Sequence, residues 1–421
     1  MIPSNEYGQR RANLLQKMKD ESILVCFAGE PKKCSADEDY PFEVNRNFYY
    51  LTGIEQEGSA LLLVKSSGET KEFLFILPFD PVKEKWYGKK LTIEEARSLS
   101  GIKNVLLKNG LTAKLNSILD PSLEQFGHIS TVYLDLEKGQ KIEEEADAAD
   151  YQRSLETVYP DVSVEDCYPL IIDLRLVKSE NEVAEFKEAV RITQLDIQSV
   201  MAHAKNGIKE YELANQFLHV INDESAYQGL AFSTIMASGK RATVLHYPTP
   251  FGTLKNGELL LMDLGARNNY YCADVSRTIP VSGRYSEEQK LIYEIVLGCN
   301  KAVAAYAKPG VTINELQSLT REYLASEMVS KGLLANKEDI GNYYYHGVSH
   351  HIGLDTHDPG RKDVPLQEGN IISDEPGLYI AERGIGIRIE DDLLITKDGC
   401  EVLTKDIIKE IKDIEAFYKN R

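Results

Sequence analysis

Four acidic residues in the second half of the chain are spaced so that they could face one another in pairs. Asp263 and Asp274 lie in strand-like runs on either side of Asn268-Asn269. Asparagine tolerates positive φ, so we interpret Asn268-Asn269 as a two-residue hairpin turn. This turn pairs Asp263 directly with Asp274, whereas a three-residue turn would break the register.

Glu375 and Glu390 bracket a second pair of strand-like runs. A turn centred on Glu382-Arg383 places Glu375 opposite Glu390. Isoleucine occupies every second position after this turn, which puts the apolar side of the strand opposite to Arg388 and Glu390. The sequence therefore predicts two hairpins that each present two facing carboxylates.

Facing carboxylates inside apolar strands suggest bound cations. Like charges about 5 Å apart, at an effective dielectric near 20, cost roughly 3 kcal/mol per pair. Carboxylates with an imidazole suit manganese, cobalt or zinc, and four or five ligands suit a site with two metal ions. The alternative interpretation is surface acids on exposed edge strands.

Histidines cluster in the same half of the chain. Five of the eight lie between His246 and His357, and four fall between His346 and His357. A lone histidine is usually structural, but this cluster indicates binding or proton transfer. The chain has no G-x-S-x-G, H-E-x-x-H or P-loop motif. A serine nucleophile at Ser349, beside His350, is disfavoured because sequence neighbours rarely have the required geometry.

The elements that would position these residues indicate an α+β protein of two domains. We predict a smaller N-terminal α/β domain over residues 1–172, and a domain of helices packed on an antiparallel sheet over residues 173–421. Strands are predicted at 22–28, 60–64, 72–77, 105–107 and 132–134, and helices at 10–19, 92–99 and 111–119. The acidic run at 143–145 reads as a solvated helix face. Capping boxes that begin at Ser179, Ser286 and Thr312 precede the long helices of the second domain.

Composition narrows the classes of partner. Hydrophobic residues make up 43% of the 421 residues, and 66 acidic against 48 basic residues give a net charge of −18. This charge argues against nucleic acid or membrane partners, although solubility alone also accounts for it. The six cysteines are scattered, the start of the chain has no signal-peptide pattern, and no stretch is long enough to span a membrane. We therefore expect a cytoplasmic protein with reduced thiols.

Several stretches resemble the aminopeptidase P and prolidase family, the metallopeptidases of the pita-bread fold. Those in the second half are Leu261-Met-Asp-Leu-Gly-Ala266, Ala273-Asp-Val-Ser-Arg-Thr278, His346-Gly-x-Ser-His350, Gly353-Leu-Asp-x-His-Asp358, Glu375-Pro-Gly-Leu-Tyr379 and Arg388-Ile-Glu-Asp-Asp392. In the first half, Ser35-Ala-Asp-x-x-Tyr-Pro-Phe42, Phe48-Tyr-Tyr-Leu-Thr-Gly53 and Trp86-Tyr-Gly88 are similar to aminopeptidase P more than to the shorter prolidases.

The resemblance implies a curved antiparallel sheet covered by helices and a centre of two divalent ions, with manganese expected and cobalt or zinc as alternatives. It assigns the metal ligands as Asp263, Asp274, His350, Glu375 and Glu390. A hydroxide shared by the two ions would attack the carbonyl before proline, with Glu375, His357 and His246 as catalytic residues. Substrate would contact His346, His357, Arg388 and Trp86. His351 departs from the family pattern, because relatives often carry an aromatic residue there.

The implied substrates are peptides with proline in second position. The implied assembly is a homo-oligomer, a dimer or tetramer, in which Trp86 reaches a substrate cleft built partly from a second subunit. One alternative is a dipeptidase restricted to Xaa-Pro dipeptides. Two others are an inactive binding module of the same fold and a methionine aminopeptidase, but the first should have lost ligands and the second lacks this N-terminal domain.

Overall fold

The chain divides into two compact units. The computed structural model describes residues 2–120, 122, 126–136, 146–224 and 229–420. Ile2–Arg175 form the N-terminal unit and Leu176–Arg421 the C-terminal unit. The acidic run at 143–145 lies outside the described residues. Within the described ranges no helix is long and apolar enough to cross a membrane.

The N-terminal unit is built on a six-stranded mixed sheet with strand order β4-β3-β2-β1-β5-β6. Its strands are β1 (Ser22–Phe27), β2 (Ala60–Ser66), β3 (Glu69–Ile76), β4 (Asn104–Leu107), β5 (Thr131–Leu134) and β6 (Ser163–Asp166). Its helices are α1 (Ser4–Lys17), α2 (Arg46–Thr52), α3 (Pro81–Tyr87), α4 (Ile93–Ser100), α5 (Leu111–Leu119), α6 (Ala146–Val158) and α7 (Tyr168–Leu176). The predicted strands and helices of this unit are confirmed. The first helix begins six residues earlier than predicted, and the other ends are shifted by at most three residues.

The position of β1 follows from its composition. It is an almost uninterrupted apolar run, which is typical of a strand covered on both faces. It lies inside the sheet, antiparallel to β2 and parallel to β5. The hairpin between β2 and β3 turns at Ser67 and Gly68, both with positive φ.

The C-terminal unit combines long helices with antiparallel strand pairs. The helices are α8 (Glu180–His203), α9 (Glu210–Glu224), α10 (Glu287–Tyr306), α11 (Ile313–Ser330) and α12 (Ile411–Lys419). The strands are β7 (Ile235–Ser238), β8 (Leu259–Leu264), β9 (Arg267–Asn268), β10 (Tyr271–Cys272), β11 (Val275–Pro280), β12 (Ile371–Asp374), β13 (Gly377–Ile380), β14 (Ile385–Arg388), β15 (Asp391–Ile395) and β16 (Cys400–Val402). They form the sheets β11-β8-β7, β12-β15-β16, β13-β14 and β10-β9. The predicted α+β class is confirmed.

The starts of three helices follow from their capping boxes. Ser179, Ser286 and Thr312 each accept a hydrogen bond from the backbone of the third helical residue, whose side chain bonds back to the cap. These bonds satisfy backbone N–H groups that have no partner within the helix. The three predicted capping boxes are therefore confirmed.

The hairpin that carries the two aspartates turns one residue later than predicted. Asn268 pairs with Tyr271, so the turn residues are Asn269 and Tyr270, with φ of 46° and 68°. These angles fit a primed turn, which needs positive φ at both central positions. Asn268 stays in the strand, where its Nδ2 donates to Glu185 Oε2 at 2.7 Å.

This shift corrects the predicted register. Asp263 pairs with Ser276, so the prediction that it pairs directly with Asp274 is wrong. Because side chains alternate between faces, a displacement of two positions along one strand leaves Asp274 on the expected face. In the second hairpin Gly377 pairs with Arg388 and Ile380 with Ile385, which confirms the predicted register.

Candidate metal centre

The predicted acidic ligands come from neighbouring strands of the C-terminal unit. Asp263 lies in β8, and Asp274 immediately precedes β11. Glu375 lies between β12 and β13, and Glu390 between β14 and β15. The Glu390 backbone N–H donates to Ser276 O at 3.0 Å, which joins the two hairpins. Strand pairing thus brings residues far apart in sequence to one place.

The side chains converge in overlapping groups that could each hold a metal ion. Within each group, one ligand atom per residue lies within 4.8 Å of the others. The groups are Asp263 with Asp274 and Glu390, His350 with Glu375 and Glu390, and Asp274 with His350 and His357. The five predicted ligands are all included, and the overlap provides donors for more than one ion.

The carboxylates lie in a buried, mutually repulsive arrangement that favours a bound cation. Burial raises the pKa of Asp274 well above its ordinary value, and the neighbouring Asp263 adds to this. Burial raises the pKa of Glu390 well above its ordinary value too, with Asp274 the next cause. Asp263 Oδ1 is buried and has no hydrogen-bond partner among the described residues. A set of oxygen donors with one imidazole suits first-row divalent metals, so the residues present fit such ions.

Hydrogen bonds orient His350 as a ligand. Its Nδ1 lies 3.0 Å from the carbonyl oxygen of His351, which can only accept. The proton is therefore on Nδ1, and the Nε2 lone pair is free. Nε2 lies 3.4 Å from Asp274 Oδ2 and 3.6 Å from Glu375 Oε1, so it points into the acidic cluster.

Arg388 is buried beside the acidic cluster and is held by three protein acceptors. Its Nη2 donates to Asp263 Oδ2 at 2.6 Å, its Nε to Ser276 Oγ at 2.8 Å and its Nη1 to Tyr379 Oη at 3.1 Å. Ser276 Oγ in turn donates to Glu390 Oε2 at 2.8 Å. The guanidinium therefore fixes Asp263 directly and Glu390 through one hydroxyl.

The hydrogen-bond chain continues from Arg388 to His346. His346 Nδ1 lies 2.8 Å from its acceptor Gly347 O, so Nε2 accepts from Tyr379 Oη at 2.9 Å. Burial lowers the pKa of His346 to about 4, with the charge of Arg388 the next cause. His346 is therefore uncharged at neutral pH.

His357 stands against the predicted ligand His350, with ring centroids 4.3 Å apart. Burial lowers the pKa of His357 to about 4, with the neighbouring His350 the next cause. His351, the departure from the family pattern, is buried, and its Nδ1 has no hydrogen-bond partner among the described residues. Burial lowers the pKa of His351 to about 4 as well.

A cavity of about 760 Å³ opens onto the acidic cluster. Its wall includes the predicted residues His246, His346, His357 and Arg388 together with the five candidate ligands, and apolar side chains such as Leu245 and Tyr247. This volume is typical of a small-molecule or peptide site. Trp86 belongs to the N-terminal unit, where it lies in α3 and is 79% exposed.

Three side chains of this region were not predicted as site residues. Ser276 and Tyr379 link Arg388 to the ligands, and Lys362 lines the cavity. Ser276 could have been found, because it lies two positions after Asp274 in a strand and so shares its face. Tyr379 and Lys362 give no such signal, since their places depend on packing between distant segments.

Both halves of the chain match models of known protein families. The family model of metallopeptidase family M24 matches residues 184–397, and that of the aminopeptidase P N-terminal domain matches residues 7–125. An Xaa-Pro aminopeptidase of Haemophilus influenzae is 32% identical over 98% of this chain and 97% of its own length. The Xaa-Pro aminopeptidase of Escherichia coli is 30% identical over 99% and 98%.

A solved structure of a candidate aminopeptidase P from Bacillus anthracis is similar over 100% of this chain and 99% of its own. It is 42% identical in sequence and superposes with a TM-score of 0.96. The match extends through the N-terminal unit, which a resemblance confined to the catalytic half would not do. The chain therefore belongs to metallopeptidase family M24, among the enzymes of the aminopeptidase P type with the pita-bread fold.

Proposed function

We propose that this enzyme hydrolyses the bond between an N-terminal residue and a following proline. The observation that carries the proposal is the convergence of Asp263, Asp274, His350, Glu375 and Glu390 at the wall of one cavity. Relatives that span almost the same length are Xaa-Pro aminopeptidases.

The five ligands would hold two divalent ions. When bound, such ions supply a Lewis acid for the carbonyl and lower the pKa of a water nucleophile. Manganese is the proposed metal, with cobalt and zinc as alternatives that suit the same donors. An E. coli aminopeptidase P has been solved in a zinc-substituted form with product.

The remaining catalytic roles belong to side chains of the protein. Glu375, whose pKa is raised by burial, takes a proton from the attacking water and passes it to the departing proline nitrogen. His357 is uncharged at neutral pH and donates a hydrogen bond to the developing oxyanion. His246 lines the same cavity and is the third proposed catalytic residue, and His346 contacts the substrate.

Selection of proline rests on shape. Proline has no amide hydrogen and a fixed φ, so a wall that offers it no acceptor and fits its ring excludes other residues. Leu245, Tyr247 and Pro248 supply apolar surface on this cavity. For Arg388 we propose a positioning role toward Asp263, because each of its nitrogens already donates to a protein acceptor.

We further propose a cytoplasmic homo-oligomer, a dimer or tetramer, without nucleic acid or membrane partners. In it, Trp86 of one chain lines the substrate cleft of another. The high exposure of the only tryptophan supports this, since tryptophan is usually well buried. The proposed domain boundary remains between residues 172 and 173.

The proposal is tested by incubating the enzyme with Ala-Pro-Ala and with Ala-Ala-Ala, after chelation and after manganese is restored. We expect release of the first alanine from Ala-Pro-Ala only, and only with metal. Full activity of protein with less than one ion per chain would contradict the metal role. Equal cleavage of Ala-Ala-Ala would contradict the proline specificity.

A further inference from the structure

Among the described residues, two lysine or arginine side chains line the cavity, and they differ in their hydrogen-bond partners. Arg388 is buried, and all three of its nitrogens donate to protein acceptors. Lys362 is exposed at the wall, and its Nζ has neither an ion-pair partner nor a hydrogen-bond acceptor among the described residues. An ammonium group has three donors, so Lys362 is free to bind an anion that enters the cavity.

The backbone around Lys362 is fixed although its side chain is free. Its carbonyl oxygen accepts from Asn314 N at 3.1 Å, in the first turn of α11. Three residues later, Pro365 forms an isolated β-bridge with Thr312, the cap of the same helix. The segment that carries the lysine is therefore anchored at two points, and the ammonium group is delivered to the cavity from a defined place.

The cation next to Lys362 in sequence is already neutralised. Arg361 makes a two-pronged ion pair with Asp363, with Nε–Oδ1 at 3.1 Å and Nη2–Oδ2 at 2.7 Å. Both side chains are exposed, and neither residue lines the cavity. Of the two adjacent cations, only Lys362 carries an unbalanced charge into the site.

The ammonium group of Lys362 lies close to the predicted substrate-contacting wall. It stands over Gly347, where an added β-carbon would be 3.3 Å from Nζ. Gly347 directly follows His346. Burial is the main influence on the pKa values of Glu375 and His357, and the charge of Lys362 acts to lower both. These relationships put a positive charge on the wall of a cavity whose other charges are mainly carboxylates.

The polarity of a peptide substrate matches this arrangement. Its scissile carbonyl must reach the metal-binding carboxylates, so the residues after proline extend away from them. The proposed divalent ions would balance the charge of those carboxylates, so a substrate carboxylate in that direction depends on another cation for attraction. Among the described residues that line this wall, Lys362 is the exposed cation.

We propose that Lys362 binds a carboxylate on the substrate residue that follows proline. This inference rests on the proposed Xaa-Pro aminopeptidase function and deepens its substrate class. The carboxylate has two possible sources, the free C-terminus of a tripeptide and an acidic side chain at the third position. Lys362 thereby favours Xaa-Pro-Xaa tripeptides, or longer peptides with Asp or Glu in third place, over neutral ones.

Two matched substrate pairs separate these sources. Ala-Pro-Ala is compared with its C-terminal amide, and Ala-Pro-Glu amide with Ala-Pro-Gln amide. Each pair gives a ratio of kcat/KM for manganese-loaded wild type, Lys362→Gln and the control Arg361→Gln. We expect at least one ratio of about threefold to tenfold in wild type, typical of a single charge-assisted contact, and a ratio near one in Lys362→Gln. The ratio should also fall as salt is raised, because the contact is partly exposed.

The outcomes distinguish this inference from the function on which it rests. The inference is overturned if both ratios are near one in wild type, or if Lys362→Gln leaves them unchanged. An equal loss in Arg361→Gln would overturn it as well, since general surface charge would then explain the preference. Absence of any cleavage by metal-loaded wild type would instead reject the proposed aminopeptidase function.

Discussion

Arg388 Nη2 donates to Asp263 Oδ2 over 2.6 Å, and both side chains are buried. A guanidinium paired in this way compensates one carboxylate of a cluster whose members otherwise repel one another. It also makes Arg388 part of the scaffold that holds the candidate ligands. The family resemblance places Arg388 beside the substrate, but its hydrogen bonds are already made to protein acceptors.

This pairing predicts that Arg388→Met destabilises the metal-free protein. Removing one partner of a buried ion pair leaves an uncompensated charge and typically costs about 3 to 5 kcal/mol. Added manganese should restore much of this, so the metal-induced rise in Tm should be larger than in wild type. Arg383→Met is the control, because Arg383 is a surface residue paired with Glu288. Equal Tm values for metal-free Arg388→Met and wild type would contradict the role of the pair.

We expect isosteric replacement of the candidate ligands to abolish activity and to preserve the fold. Asp263→Asn and Glu390→Gln keep side-chain size but remove negative charge that a divalent ion requires. We expect fewer ions per chain by elemental analysis, turnover below detection and an unchanged circular dichroism spectrum. Glu382→Gln, at an exposed site in the loop between β13 and β14, should behave as wild type. Retention of full metal content and activity in both ligand variants would show that other residues hold the ions.

The folding stability of the metal-free protein should depend on pH through the protonation of Glu390. Its pKa is raised in the folded state, so the folded protein keeps a proton that the unfolded chain has released above about pH 4. That contribution to stability is fully present at low pH and is lost as pH rises through the raised pKa. Wild type should therefore lose stability relative to Glu390→Gln as pH is raised from about 5 through the raised pKa of Glu390.

Urea midpoints of the two proteins, measured in chelator across this range, give the difference directly. The histidines with lowered pKa values act in the opposite direction, but they are present in both proteins and cancel. A difference that stays constant, or that favours wild type more as pH rises, would be inconsistent with a protonated Glu390 in the metal-free fold.

Local signals in the sequence were sufficient for much of the fold. Capping boxes at Ser179, Ser286 and Thr312 predicted three helix starts, because the interactions involve residues only three positions apart. The register of the second hairpin was also predictable. Its loop ends at Gly384, which has a φ of 64°. The strand pairing is symmetric about the predicted turn centre, Glu382-Arg383.

The first hairpin shows where local signals fail. Two asparagines can both accept positive φ, and the choice between them depends on Glu185 in a distant helix, whose Oε2 accepts from Asn268 and Asn269. The roles of Arg388, Tyr379 and Lys362 likewise depend on which partners tertiary packing supplies. The types of the candidate ligands were predictable from sequence, whereas the hydrogen bonds that orient them were not.

Trp86 provides a direct optical test of the proposed oligomer. It is the only tryptophan and is 79% exposed in a single chain, so its emission reports one environment. If a second subunit covers it, acrylamide quenching should be weak at high protein concentration and should rise on dilution as the assembly dissociates. Light scattering on the same samples gives the oligomeric state. Quenching that is strong in an intact oligomer would contradict the placement of Trp86 in a shared cleft.

The aminopeptidase and dipeptidase alternatives differ in the length of peptide that they accept. A dipeptidase must capture the carboxylate of proline itself, commonly with an arginine, or block the space beyond it. Arg388 is held by Asp263, Ser276 and Tyr379, which argues against that capture. We therefore expect Ala-Pro-Ala to be cleaved at least as efficiently as Ala-Pro under the same manganese loading. Release of alanine from both substrates is measured as kcat/KM for wild type and Lys362→Gln. Turnover of the dipeptide with no detectable attack on the tripeptide would reverse the assignment. If Lys362→Gln then abolished that turnover, the free lysine would be the group that binds the proline carboxylate.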